Sequence, residues 1–295
     1  MPPSTPAEDE LFEAIGAGDE PRVIDALGRG ASVNAARKYK VGIDRDLYDG
    51  TLSALMHAVN SGRSGVVQLL LAKGAEPDAA DAFSGNTPLL QAAACGQEDV
   101  VAALLAAGAS PAARDAYAGE NTLTAAIKAG HAAIARSLLR AGAPLEPRAL
   151  EEACRLGRED LVEMLMESGI ALRATRALVS AASAGRVAMI HFLATRGADL
   201  RAQGPEALQN AANAGLDDVV RCLLSLGVPV DSRTSYGWTP LHLAAYNGNA
   251  ATVRALLEAG ADPRADDGAG KTPLAWARQA GKAENVAALE AALGT

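Results

Sequence analysis

Aromatic residues are scarce: Phe, Tyr and Trp make up 3 % of the 295 residues. A core built on large rings is therefore excluded, and small aliphatic side chains must do the packing. Cysteine is scarce too. Cys95, Cys154 and Cys222 are isolated, odd in number and without C-x-x-C spacing, which excludes a disulfide framework. Each reads as a small buried hydrophobe, and a reducing cytoplasm is the expected setting. No stretch approaches the roughly 20 apolar residues of a membrane helix. The opening MPPSTPAEDE has no basic start and no apolar run, so it reads as a short disordered tail over residues 1–7 rather than a secretory signal. Excess positive charge is also missing. The 27 Lys and Arg stand against 35 Asp and Glu, a formal −8 that argues against broad nucleic-acid binding.

What is present is apolar content of 49 %, much of it alanine, and glycine in phase. The stretch Gly237 to Pro263, GWTPLHLAAYNGNAATVRALLEAGADP, shows the unit. Thr239 can cap a helix through its hydroxyl, and Pro240 suits the first helical position, where a missing N–H costs nothing. Leu241, Leu243, Ala244 and Ala245 make an apolar face about two turns long. Gly248 can take the left-handed conformation that ends a helix. A second helix is expected from about Asn249 to Ala259, with Val253, Leu256 and Leu257 at helical spacing, ended by Gly260 before the turn at Asp262-Pro263. Helices this short cannot bury their apolar faces alone, so the unit needs neighbours.

It has them. The glycines between paired helices fall at Gly18, Gly62, Gly96, Gly130, Gly157, Gly185, Gly215, Gly248 and Gly281, spaced by 44, 34, 34, 27, 28, 30, 33 and 33 residues. Each except the last is followed by an apolar helix and an exit glycine: Gly30, Gly74, Gly108, Gly142, Gly169, Gly197, Gly227 and Gly260. The wording TPLHLAA…G…LL..GADP closely resembles an ankyrin repeat, a unit of about 33 residues. That resemblance implies helix pairs with projecting β-hairpin-like finger loops. The expected fold class is all-α, an ankyrin-type solenoid of stacked helix–turn–helix repeats forming a single domain over 8–295. An N-terminal cap at 8–34 and a C-terminal cap at 263–295 would enclose the internal repeats of 53–262.

Two irregularities stand out. The connection 35–52, AARKYKVGIDRDLYDGTL, is about ten residues longer than its equivalents, and long loops inside a tight array are functional or disordered. It carries Arg37, Lys38, Lys40 and Arg45, offset by Asp44, Asp46 and Asp49. A binding finger and a tolerated insertion are the two readings. The connections APLEPRAL, IALRATRAL and ADLRAQGPEAL are shortened, so fingers there should be stubby or absent.

The resemblance also implies a concave side, formed by the fingers and the first helix of each pair, where such proteins commonly hold partners. Of the ten aromatic residues, Phe12, Phe192 and Trp276 fall on apolar helix faces and read as core. The other seven are Tyr39, Tyr48, Phe83, Tyr117, Tyr236, Trp238 and Tyr246. All seven map to fingers or to the ends of first helices. Polar candidates at equivalent helix ends are Asn60, Lys128, Arg155, Ser183, Asn213 and Asn247. Aromatic anchors dominate protein interfaces, so this set is the candidate partner-binding surface. The alternative is that the rings pack neighbouring fingers together.

Catalytic signals are weak. Asp267 to Thr272, DGAGKT, looks like the tail of a phosphate-binding loop, but Ala265 stands where glycine is needed, and Pro273 belongs to the repeat's own TPL. His57, His131, His191 and His242 show no metal-ligand spacing, and in ankyrin-like proteins the histidine of TPLH ties neighbouring loops together. Glu98-Asp99, Glu159-Asp160 and Asp217-Asp218 open second helices, where the macrodipole favours negative charge. The expectation is a non-catalytic adaptor or inhibitor that binds an unidentified protein, without cofactor, metal or membrane, and is monomeric when free. The alternatives are an enzyme or ligand-binding protein with a hidden pocket, and weak nucleic-acid binding through 37–45.

Overall fold

Short polar side chains decide where the helices begin. The Oγ of Ser53 accepts the Met56 N–H at 3.1 Å, Thr87 Oγ1 accepts Leu90 N–H at 3.3 Å, and Asn121 Oδ1 accepts Thr124 N–H at 2.8 Å. The computed structural model describes residues 4–43, 46–116 and 119–294, with backbone alone over 41–43 and 46–49. Chain contacts divide it into two compact units, 1–146 and 147–295.

The first unit holds α1 (Pro6–Ala17), α2 (Glu20–Gly28), α3 (Ala54–Asn60), α4 (Ser64–Ala72), α5 (Pro88–Cys95), α6 (Glu98–Ala106), α7 (Thr122–Lys128) and α8 (Ala132–Arg140). Helix α1 starts at Pro6, so the tail expected over 1–7 overlaps it; the Thr5 side chain accepts the Glu8 N–H and supplies the cap. First helices pack side by side, α1 on α3 on α5 on α7, and second helices do the same, α2 on α4 on α6 on α8. Between the two layers lie fully buried Leu11, Ile15, Leu55, Leu70, Leu89, Leu104, Leu123 and Leu138. The long 35–52 connection is an antiparallel hairpin, β1 (Ala36–Ile43) on β2 (Asp46–Ser53), in register from Ala36↔Ser53 to Ile43↔Asp46.

The second unit holds α9 (Pro147–Leu156), α10 (Glu159–Glu167), α11 (Ala177–Ser183), α12 (Val187–Thr195), α13 (Leu200–Ala214), α14 (Asp217–Ser225), α15 (Pro240–Tyr246), α16 (Ala250–Glu258), α17 (Pro273–Gln279) and α18 (Ala283–Leu293). Its first helices run α9, α11, α13, α15, α17 in contact order. The connection into α11 is a 3-10 turn at Leu172–Ala174, stubby as expected. The connection into α13 is not a loop. Asp199 accepts the Ala202 N–H at 2.9 Å, and the helix runs on through Pro205 to Ala214. Buried Gly204 permits this, because a Cβ there would stand 2.7 Å from Val228 Cγ2.

Neighbouring pairs are latched at their corners. The side chain just after an inter-helix glycine reaches back to a carbonyl at the C-terminal end of the preceding first helix. Gln97 Nε2 donates to Val59 O at 2.9 Å, Arg63 Nη2 to Gly16 O at 3.1 Å, Arg186 Nε to Arg155 O at 3.1 Å, and Asn249 Nδ2 to Gly215 O at 2.9 Å. Carbonyls at a helix C-terminus lack the usual i+4 donor, although Val59 O also takes the Gly62 N–H at 3.0 Å. Of the nine aligned glycines, eight have positive φ; Gly248 does not. Its expected left-handed exit is replaced by a close approach: a Cβ would lie 2.7 Å from Ala212 O and 2.8 Å from Ala244 Cα.

Three side chains depart from expectation. Cys95, the last residue of α5, is exposed, whereas Cys154 and Cys222 are buried. Phe192, expected in the core, is half-buried beneath the Arg196 guanidinium, 4.8 Å from its ring centroid. Trp276, also expected in the core, is half-buried on the finger side of α17.

Candidate functional site

In the second unit the fingers before α15 and α17 are built on polar side chains that hold their own turns. Thr234 N–H donates to Trp238 O at 2.9 Å, and the Thr234 hydroxyl oxygen accepts the Trp238 N–H at 3.1 Å. Gly237, with φ 84°, makes the turn, and a Cβ on it would stand 2.8 Å from Asp267 O in the next finger. Arg233 Nη1 ties the two fingers, donating to Gly237 O at 2.8 Å and to Asp266 O at 2.6 Å.

Asp267 organises the second finger. Its Oδ1 accepts the N–H groups of Ala269 and Lys271 at 2.9 and 3.0 Å, and its Oδ2 accepts Trp276 Nε1–H at 3.0 Å. These donors hold its carboxyl below the ordinary carboxylate range. The look of a phosphate loop at 267–272 is thus an aspartate-held turn. His242 closes the same corner. Its Nδ1 accepts the Thr239 N–H at 3.2 Å, so Nε2 carries the proton and donates to Lys271 O at 3.1 Å. Burial lowers the affinity of this imidazole for a second proton.

The rings then meet. Trp276 packs edge-on against Trp238, with centroids 4.7 Å apart, and against Tyr246 at 5.5 Å. Tyr236 lies 5.3 Å from Trp238 and is 72 % exposed. Trp238, Tyr246, Trp276 and Leu243 form the apolar wall of a recess of about 330 Å³. Asn213, Asn247, Gln279 and Lys271 form its polar wall. Asn247 Nδ2 donates to Asn213 Oδ1 at 2.8 Å, and Lys271 Nζ to Gln279 Oε1 at 3.0 Å.

Of the residues that the sequence nominates, the structure brings Asn213, Trp238, Tyr246 and Asn247 into this recess, with Tyr236 beside it. Sequence reasoning misses Trp276, Lys271, Gln279 and Leu243. A signal was there: Trp276 stands three residues after Pro273, as Leu243 stands after Pro240 and polar Gln91 after Pro88. That column of the repeat is not a core column.

Other nominees lie elsewhere. Arg155 is exposed, pairs with Glu152 at 2.6 Å, and lines a separate recess with Arg176 and Ser183. In the first unit, Lys128 is exposed and faces Glu120 at 3.5 Å. Tyr39 lines a recess of about 300 Å³ with Asn60, and its hydroxyl donates to Asp81 Oδ2 at 2.6 Å. Half-buried Phe83 lends its N–H to Asp81 Oδ1 at 2.9 Å. Tyr117 and the side chain of Tyr48 lie outside the described residues. Within the basic stretch, Arg37 sits 5.0 Å above Phe12 and 3.3 Å from Asp9, a packed ion pair rather than a free cation.

Among the described residues, no group of three or more His, Cys, Asp or Glu is placed to hold a metal. One pairing invisible to sequence spacing is Cys222 Sγ with His191 Nε2, 3.4 Å apart across α14 and α12. Burial raises the Cys222 thiol and pushes Cys154 up to about 12, so neither is an activated nucleophile. Among the described residues, no helix is long and apolar enough to cross a membrane.

The family model described as ankyrin repeats (3 copies) matches residues 11–115, 178–267 and 208–292. This chain belongs to the ankyrin repeat family. The helix pairs, aspartate-held fingers and His242 corner are its version of that frame. Ankyrin repeats generally serve as protein–protein interaction modules and are typically non-catalytic. No curated protein matches the sequence.

Proposed function

We propose that this ankyrin repeat protein is a non-catalytic adaptor or inhibitor that docks a partner protein against the first helices and fingers of residues 213–279. The observation that carries this reading is the ring cluster. A chain with 3 % aromatic residues gathers Tyr236, Trp238, Tyr246 and Trp276 in one place and leaves Tyr236 72 % exposed. Core packing does not need a ring held in water, whereas aromatic anchors contribute most to interface energy. The short fingers and corner latches suit the role, since a preorganised surface loses little entropy on binding. The proposed setting is the cytoplasm, where free thiols such as exposed Cys95 stay reduced.

The test is affinity capture from native lysate with the wild-type chain and with Tyr236→Ala. Tyr236 is exposed, so its removal leaves the thermal midpoint unchanged. Loss of a specifically captured protein, with affinity reduced about 30-fold for a hot-spot ring worth about 2 kcal/mol, supports the reading. Equal capture by both chains overturns it.

A further inference from the structure

The proposed docking site has a chemistry more specific than aromatic contact. The recess of about 330 Å³ is apolar on one side, where Trp238, Tyr246 and Trp276 meet, and polar on the other. Lys271 is the one formal charge among the residues that line it. Its ammonium donates to Gln279 Oε1 at 3.0 Å, and no carboxylate within the described residues forms an ion pair with it. The nearby Asp267 carboxylate is spent on two backbone N–H groups and the Trp276 indole, and it does not line the recess. The site therefore offers a held cation beside an apolar slot.

The asparagines add a second requirement. Asn247 Nδ2 is used on Asn213 Oδ1, at 2.8 Å. That leaves the Asn213 amide N–H groups and the Asn247 carbonyl oxygen for a ligand, one donor set and one acceptor side by side. A main-chain peptide group presents the matching acceptor and donor.

Resting on the docking role proposed above, we infer that the recess reads an extended acidic peptide segment of the partner. One apolar or aromatic side chain enters against Trp238, Tyr246 and Trp276. The adjoining main-chain amide pairs with Asn213 and Asn247. An Asp or Glu next to the apolar residue reaches Lys271. The charge supplies selectivity at the rim, and the rings supply the anchor.

The experiment is selection of a random heptapeptide library, displayed as internal sequence, on the purified full chain at low salt. The expected peptides share an apolar or aromatic residue adjoining Asp or Glu. They bind about fivefold more weakly to Lys271→Glu and to Lys271→Gln, as expected for a partly exposed ion pair. Reselection on Lys271→Glu exchanges the acidic residue for Lys or Arg. Lys271 is exposed, so both variants keep the wild-type circular dichroism spectrum and melting curve.

Peptides without an acidic residue, or with unchanged affinity for both Lys271 variants, overturn the acidic reading and leave the docking role standing. So do peptides that bind only with a free C-terminal carboxylate, and so does tighter binding of phenylacetate alone. Peptides that bind Tyr236→Ala and Trp238→Ala as well as wild type overturn both readings. A selection that enriches nothing overturns the peptide reading by itself.

Discussion

The fingers at Asp81 and Asp267 solve one problem in two ways. In each, one carboxylate oxygen gathers backbone N–H groups of its own turn: Phe83 and Ser84 at 2.9 and 2.7 Å, and Ala269 and Lys271 at 2.9 and 3.0 Å. In each, the other oxygen takes an aromatic donor, the Tyr39 hydroxyl at 2.6 Å or the Trp276 indole at 3.0 Å. The donors come from different places. Tyr39 arrives from the inserted hairpin β1–β2, 42 residues earlier in the chain, and Trp276 from the helix that follows the finger. The first arrangement ties down the extra hairpin with its phenol. The second turns a tryptophan toward the finger side, where Trp238 and Tyr246 meet it edge-on. The same local device thus anchors an insertion in one unit and founds an aromatic recess in the other.

Four experiments break or sharpen that comparison. Trp276→Ala has the largest expected effect. It removes the indole bond and the shared partner of Trp238, Tyr246 and His242, and costs about 2–3 kcal/mol, less than a fully buried tryptophan would. Denaturant unfolding measures it, and a loss no larger than that of Tyr39→Phe removes the central role given to Trp276.

Next is a pair of glycines. Gly248→Ala pushes a methyl against Ala212 O and Ala244, an overpacking cost of about 2 kcal/mol. Gly62→Ala meets open space and pays only for its φ of 66°, about 1 kcal/mol. Equal melting-point losses would show that Gly248 is an ordinary helix exit.

Tyr39→Phe removes one charge-assisted hydrogen bond and costs about 1.5 kcal/mol. The hairpin keeps its strand register, so amide exchange over 36–40 and 50–53 quickens without the slow helical amides changing. Quickened exchange throughout the first unit would contradict a role confined to the hairpin.

The smallest effect is on pH. Burial holds His57 and His242 below the ordinary imidazole value near 6.5, with the nearby Arg37 charge adding to the effect at His57. The unfolded chain then takes up protons that the folded chain refuses. Stability is complete above that value and declines as pH falls through it toward the lower folded values. Asp81 and Asp267, held below their ordinary range near 3.8, stay charged throughout this interval and add no slope. The thermal midpoint should fall between about pH 7.5 and about pH 5.5, less steeply in His242→Gln and least in the double variant with His57→Gln. A slope unchanged in both would assign it to other groups.

The sequence alone determined the repeated frame. Helix starts at Thr87, Asn121 and Thr239, proline at first positions, left-handed glycines at the exits and acidic second-helix openings are all events within about four residues, and local capping chemistry decides them. The shortened finger before α11 was legible for the same reason, and so was the unusual length of 35–52, although not its hairpin. Tertiary structure decided what depends on stacking register. The Gln97, Arg63 and Asn249 latches span 34 to 47 residues, Asn247 meets Asn213 across 34, and Cys222 meets His191 across 31. Trp276 falls between the two: its repeat column, shared with half-buried Leu243 and Gln91, was legible, but its bond to the Asp267 carboxylate and its contacts with the rings of the preceding pair were not. Gly248 does too: it stands in the same repeat column as eight left-handed glycines, yet it is packed against the backbone of Ala212 and Ala244. A bond that spans a repeat exists only once two helix pairs are stacked, and a linear pattern carries no record of that alignment.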